Sequence, residues 1–160
     1  MPFVTNRAAI ERQVRKDMME MKKRLGEGIR DLCFEIDETI KSYTPVWSGK
    51  AVRNYVWSVG TPDTTVYSAI ESGPPGPTNS MPLGTEPRRA ANERAALDTL
   101  LSIDFSNPFQ NFILSNNAED IEGLEFGLLP TPERSRSPNG MFGLTQNYVG
   151  ELLRSKGIMR

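Results

Sequence analysis

Four carboxylates lie close together in the stretch NNAEDIEGLEFG: Glu119, Asp120, Glu122 and Glu125. A two-metal nuclease site needs acids that converge from separate elements on ions roughly 4 Å apart. Neighbouring acids on one helical turn point away from each other, and the stretch lacks the spacing of a calcium-binding EF-hand loop. Acids also stabilise a helix N-terminus. We therefore interpret the cluster as structural and expect no metal or cofactor. The alternative is a metal-dependent nuclease that uses Glu119, Asp120 and Glu122.

The chain has 160 residues, no histidine and one cysteine, Cys33. Without histidine it lacks Ser-His and Cys-His nucleophile pairs and a histidine general base. One cysteine excludes an intrachain disulfide and a cysteine zinc cluster. No apolar run approaches the roughly 20 residues that span a bilayer, so no membrane partner is expected. The composition favours a single domain, residues 1–160, that is not an enzyme.

An apolar stripe at helical spacing dominates the first half of the chain. Its members recur every three or four residues: Val14, Met18, Met21, Leu25, Ile29, Leu32, Ile36 and Ile40. The spacing predicts a helix over residues 6–43, which Thr44-Pro45 ends. Such a helix is a rod of roughly 57 Å, whereas a compact domain of this length has a radius of gyration of about 15 Å. We therefore expect the part from Val14 to Met21 to protrude or to meet another chain.

The remaining elements are shorter. Alternating β-formers predict a strand over residues 51–59, which we pair with the apolar segment that follows Asn107-Pro108. Helices are predicted in EPRRAANERAALDTLLSID and in the last segment, MFGLTQNYVGELLRSKG, where a strand leading into a helix is the alternative. Residues 61–87 and 128–140 are extended loops, and 61–87 is rich in proline and glycine. The predicted fold class is α+β, with a long N-terminal helix packed on a small antiparallel sheet.

Basic residues are frequent on the long helix, but acids are interleaved with them, and the formal net charge of the chain is -1. The helical stretch VRKDMMEMKKR is therefore typical of the solvated flank of an amphipathic helix. The alternative is a DNA- or protein-binding regulator built on this helix. DNA contact of that kind would be independent of base sequence and sensitive to salt.

Three stretches resemble, in this order, the neck or tail-completion (head–tail joining) proteins of long-tailed bacteriophages. They are YTPVWSGKAVRNYVWSVG, ILSNNAEDIEGLEFG and SRSPNGMFGLTQNYV, and the segment NPFQNFIL also fits. The resemblance covers about residues 40–60 and 105–150. The long N-terminal helix fits the layout of that family as well.

The resemblance implies a structural virion protein without enzymatic activity. Several copies, on the order of six or twelve, would form a ring at the phage head–tail junction. The ring would link the portal or its adaptor to tail proteins and surround the DNA channel, through which DNA passes without sequence-specific binding. The chain would occur in the virion, and in the host cytoplasm during assembly.

Within this picture the sequence suggests three groups of site residues. The expected assembly interface comprises Val14, Met18, Met21, Leu25, Trp47, Arg53 and Trp57. The expected structural corner comprises Asn116, Asn117, Ile121, Leu124, Glu125, Phe126 and Gly127, with Ile121, Leu124 and Phe126 packed inside and Gly127 permitting a sharp exit. The expected channel-facing charges are Glu119, Asp120 and Glu122. An acidic lumen would repel DNA phosphate during ejection.

Overall fold

The computed structural model describes residues 6–46, 48–71, 88–129 and 139–158. Its elements are α1 (Arg7–Tyr43), α2 (Lys50–Arg53), β1 (Tyr55–Val59), α3 (Arg89–Leu101), β2 (Phe112–Asn116), α4 (Ile121–Glu125) and α5 (Phe142–Ser155). The predicted α+β architecture, a long helix on a small antiparallel sheet, is confirmed. Within the described ranges, no helix combines the length and the apolar character needed to cross a bilayer.

The sheet consists of β1 and β2 in antiparallel register, with Tyr55 opposite Asn116 and Val59 opposite Phe112. The predicted pairing of these two segments is confirmed. The strand prediction for residues 51–54 is wrong, because α2 occupies this stretch. Gly49 precedes α2 in the left-handed conformation (φ 83°) and turns the chain into it. A Cβ atom on Gly49 would lie 2.3 Å from Asn92 Nδ2, so the turn also packs closely against α3.

α1 ends where the sequence predicts. The Thr44 hydroxyl donates a hydrogen bond to the Ile40 carbonyl at 2.7 Å, and Pro45 follows. The residues of α1 that are buried all lie in its second part: Gly26, Cys33, Asp37, Ile40 and Lys41. At 3.6 residues per turn, the side of α1 that these buried residues share lies about a quarter-turn around the helix axis from the centre of the apolar stripe. The domain therefore packs against the edge of the stripe, and Leu32 and Ile36 are only half-buried.

Two apolar clusters form the core. One joins Cys33, Trp57 and Leu100, and the other joins Ile40, Tyr55 and Met141. Between them a buried ion pair connects Lys41 Nζ to Asp37 Oδ2 at 2.6 Å, and the Trp57 indole N–H donates to Asp37 Oδ1 at 3.0 Å. Buried charges need such partners, because an unpaired charge in an apolar interior is costly.

Arg89 of α3 ties the end of α1 to the rest of the core. Its guanidinium donates to the Thr44 carbonyl at 3.0 Å and also to the Lys41 carbonyl. Its Nε lies 2.5 Å from Glu93 Oε1, which balances the buried charge. The last turn of α1 is thereby held against α3, and this fixes the direction in which the first half of α1 projects.

Two glycines of α1 offer a matched test of where the packed part of the helix begins. A Cβ on Gly26 would lie 2.3 Å from the Phe105 carbonyl oxygen, whereas nothing lies within 4 Å of the same position on Gly28. We expect Gly26→Ala to destabilise the fold by about 1–3 kcal/mol through overpacking. Gly28→Ala should stabilise it by about 1 kcal/mol through helix propensity. Urea unfolding of both variants measures the difference, and equal stabilisation would contradict the packing of Phe105 on α1.

Candidate functional site

The first half of α1 presents an apolar surface that the fold leaves uncovered. Val14, Met18, Met21 and Leu25, which we call the free stripe, are 49%, 55%, 69% and 45% exposed. The protrusion predicted from the sequence is observed. Residues 7–21 extend roughly 22 Å beyond Lys22, whose ammonium lies 5.8 Å from the centre of the Phe109 ring. Four large apolar side chains in a row on one helix face are typical of a surface that is buried against another chain.

Some of the basic side chains on the same helix are paired with acids. Arg24 pairs with Glu20 at 2.5 Å and Lys23 with Glu27 at 3.9 Å, each one helical turn apart. Arg7 pairs with Glu11 at 2.8 Å in the same way. Exposed pairs of this kind contribute little to stability, but they interrupt the basic surface that binding to DNA phosphates needs. Arg12, Arg15 and Lys16 form no ion pair among the described residues, so this part of the helix keeps a basic surface.

The structure separates the other predicted interface residues from the free stripe. Trp57 is 6% exposed and lies in the core with its indole on Asp37, so its prediction as an interface residue is wrong. Arg53 is half-buried, and its guanidinium lies 4.5 Å from the centre of the Tyr67 ring. Trp47 lies outside the described residues. Strand alternation alone does not tell which face of β1 meets a helix, so the sequence did not place Trp57 in the core.

The acidic corner does not gather its carboxylates into one site. Glu119, Asp120 and Glu122 are all exposed. Glu119 accepts a hydrogen bond from Lys50 Nζ at 2.9 Å, which lowers the pKa of Glu119 and raises the pKa of Lys50. Among the described residues, no group of three or more His, Cys, Asp or Glu side chains is placed to hold a metal ion. The geometry therefore gives the nuclease alternative no support.

Glu125 serves a different purpose from its three neighbours. Its Oε2 accepts hydrogen bonds from the backbone N–H groups of Met141 at 2.7 Å and Phe142 at 2.9 Å, and its Oε1 accepts one from Gly143 at 3.1 Å. These donors belong to the first turn of α5, which has no side-chain cap of its own. A carboxylate at this end of a helix satisfies free N–H groups and complements the helix dipole.

Most residues of the expected structural corner make contacts within the domain. The Asn116 side chain donates to the Ala51 carbonyl at 2.8 Å and accepts from the Ala118 N–H at 3.0 Å. Ile121 and Leu124 pack beside the second core cluster, and Gly127 adopts a left-handed φ of 65°. Phe126 is 70% exposed, so its predicted packing is wrong. The helix turn of α4 directs Ile121 and Leu124, which are three apart, inward, and leaves Phe126 outside.

An extended segment crosses the surface near this corner, and we call residues 61–71 the strap. Two fully buried asparagines hold its main chain. The Asn54 side chain accepts from the Tyr67 N–H at 2.7 Å and donates to the Tyr67 carbonyl at 2.8 Å. The Asn92 side chain binds the N–H and carbonyl of Ile70 in the same way, at 2.8 and 3.0 Å. Asn117 adds a hydrogen bond to the Asp63 carbonyl at 2.7 Å. The sequence reasoning missed this role of the asparagines.

Comparison with known proteins yields no match for this chain among protein-family models, curated proteins or solved structures. Two observations bear on the function. They are the order of the motifs in the sequence and the uncovered apolar surface of α1.

Proposed function

We propose that the chain is a structural subunit of a ring at the head–tail junction of a long-tailed bacteriophage. The observation that carries the proposal is the free stripe, which is exposed on a helix that projects beyond its own domain. A subunit that completes its apolar burial by contact with identical copies has this appearance. The order of the three sequence motifs supports the place in the virion, between portal or adaptor and tail.

The energetics of the free stripe favour a closed assembly over a simple pair. Full burial of a Val, Leu or Met side chain contributes about 1.5–3 kcal/mol, and these side chains are already about half covered. The stripe can therefore contribute several kcal/mol, whereas association costs an estimated 4–15 kcal/mol or more. A closed ring has as many contacts as copies, one more than an open chain of the same length, so ring closure adds a contact without a further association cost. Heterologous contacts close into a ring when the rotation between copies allows it.

The encoding genome offers a direct test of the position in the virion. A nonsense codon in the gene for this chain should give DNA-filled heads and free tails that remain separate in electron micrographs. Supplying the chain from a plasmid should restore joined particles, which controls for effects on neighbouring genes. Complete particles formed without the chain would overturn the proposal.

Variants of Asp120 and Glu122 test the proposed channel role more directly than variants of all four acids do. Glu119 is engaged by Lys50 and Glu125 caps α5, so charge reversal at either changes the fold as well as the lumen. Asp120→Lys and Glu122→Lys replace exposed carboxylates, of which Asp120 also acts on Lys50 through its charge. If these acids line the channel, the double variant should assemble normally and eject DNA more slowly, because lysines bind the phosphate backbone. Unchanged ejection kinetics would remove the acids from the channel.

A further inference from the structure

The outer edge of β2 is open. Gly60 N–H donates to the Asn111 carbonyl at 2.9 Å, so these two residues are a hydrogen-bonded pair. In an antiparallel ladder, hydrogen-bonded and non-hydrogen-bonded pairs alternate along the strands. Trp57 and Leu114 therefore form a non-hydrogen-bonded pair, and Trp57 N–H indeed turns away to Thr99 Oγ1 at 3.0 Å. The main-chain groups of Leu114 and Phe112 point away from β1. Among the described residues, no hydrogen bond outside the strand reaches them.

An apolar groove lies beside this open edge. Its walls are the half-buried residues Ile29, Leu32 and Ile36 of α1 on one side and Phe112 and Leu114 of β2 on the other, and its volume is about 640 Å³. None of the described residues that line it is charged. The groove continues the direction of the free stripe along α1. It can take an extended, uncharged segment whose side chains alternate between the groove and the outside.

The strap carries a second open edge. Asp63 and Tyr67 use their main-chain groups to bind Ser115, Asn117 and Asn54 of the same chain. In an extended chain the residues in between direct their main-chain groups to the opposite edge. These are Thr64, Val66 and Ser68, and within the described part of the chain no hydrogen bond engages their main chain. Val66 is 56% exposed and Ile70 is 42% exposed, so the strap also offers apolar side chains.

We propose that the strap of one copy adds as a strand to the β2 edge of the next copy, with Val66 entering the groove. The proposal rests on the ring and names the contact that closes it. The strap has no charge between Asp63 and Glu71, which matches the uncharged groove. The strap is long enough to pair with all five residues of β2. Donor and acceptor are different surfaces of the same chain, so the contact is heterologous and propagates from copy to copy.

Cross-linking between two variants locates this contact. In a Cys33→Ala background, one preparation carries Val66→Cys and the other carries Leu32→Cys, which lies in the groove but outside the core clusters. A short bis-maleimide reagent should give a covalent dimer when the two are mixed under conditions where the wild type is assembled. Leu101→Cys replaces Leu32→Cys as the control, because Leu101 is 61% exposed and lies outside the groove. Equal cross-linking to Leu101→Cys, or none to Leu32→Cys, overturns the proposal.

The assembly of a variant with a charge at residue 66 measures how much the strand contact contributes to ring formation. Val66→Lys should raise the protein concentration at half-assembly by at least about tenfold, because a lysine in the uncharged groove has no partner. Leu101→Lys should leave that concentration unchanged. If Val66→Lys forms the ring at the same protein concentration as the wild type, the strand contact is overturned and the proposed function stands. A wild type that never forms a ring would overturn both.

Discussion

Met18→Lys combined with Met21→Lys is expected to leave the chain folded and unable to assemble. Both side chains lie on the free stripe and contribute nothing to either core cluster, so circular dichroism and urea unfolding should match the wild type. In the ring the two lysines would be buried without partners at a cost of several kcal/mol. The concentration at half-assembly should therefore rise at least about hundredfold. Mass photometry over a dilution series measures it.

The control for this variant carries the same added charge on the far side of α1. Ala9→Lys lies half a helical turn from Met18 around the axis, and Met19→Lys lies about 160° around the axis from Met21. Met19 is 72% exposed, so a lysine there stays in solvent. The double control should assemble like the wild type. If the control and the Met18/Met21 variant lose assembly equally, added charge on α1 is responsible rather than loss of the free stripe, and the interface assignment fails.

Glu125→Ala is expected to produce the largest loss of stability among the four corner acids. It removes three hydrogen bonds to a carboxylate and the charge that complements the α5 dipole. Hydrogen bonds to charged groups contribute about 1.5–3 kcal/mol, and three on one carboxylate are not additive, so we expect a loss of about 2–4 kcal/mol. The melting temperature should fall by about 5–15 °C. Differential scanning calorimetry measures both quantities.

Glu122→Ala is the matched control for Glu125→Ala. Glu122 lies three residues earlier on the same short helix and is exposed. Its removal should change the free energy of unfolding by no more than about 0.5 kcal/mol. Identical unfolding curves for the two variants would contradict the assignment of Glu125 as the cap of α5. An intermediate effect of Glu125→Gln would show how much of the contribution is the charge.

The sequence predicted α1 closely because its apolar period is long and uninterrupted and because Pro45 stops it. It did not predict which side of α1 meets the domain. Gly26 and Cys33 mark the packed side, but neither is a large apolar residue, and Asp37 and Lys41 are charged. The spacing of apolar residues does not reveal a buried ion pair, because groups that are distant in the chain satisfy that pair.

The same limit explains the errors around β1. Val52 and Val56 have the spacing of one strand face, yet the left-handed turn at Gly49 places Val52 in a helix. The sequence suggests Trp57 as an interface residue, whereas its indole binds Asp37, which is 20 residues away in the chain, inside the core. Contacts across such separations are set by the tertiary fold.

The acid cluster that first suggested chemistry divides into separate roles, which spacing alone could not predict. Glu119 binds Lys50, Glu125 caps a helix that begins 17 residues later with Phe142, and Asp120 and Glu122 remain exposed. A signal for the cap was present in the sequence. The residue at the N-cap of α5 is Met141, which makes no side-chain cap hydrogen bond, so the first N–H groups of α5 need an acceptor from elsewhere.

The most direct test of the account is the particle that the purified chain forms. Negative-stain images and mass photometry of the wild type, taken from dilute to concentrated solution, should show a ring of fixed copy number with an open centre. The ring should disappear in the Met18/Met21 variant and persist in its charge-matched control. A wild type that remains a monomer at every concentration would contradict the claim that this chain completes its burial against copies of itself.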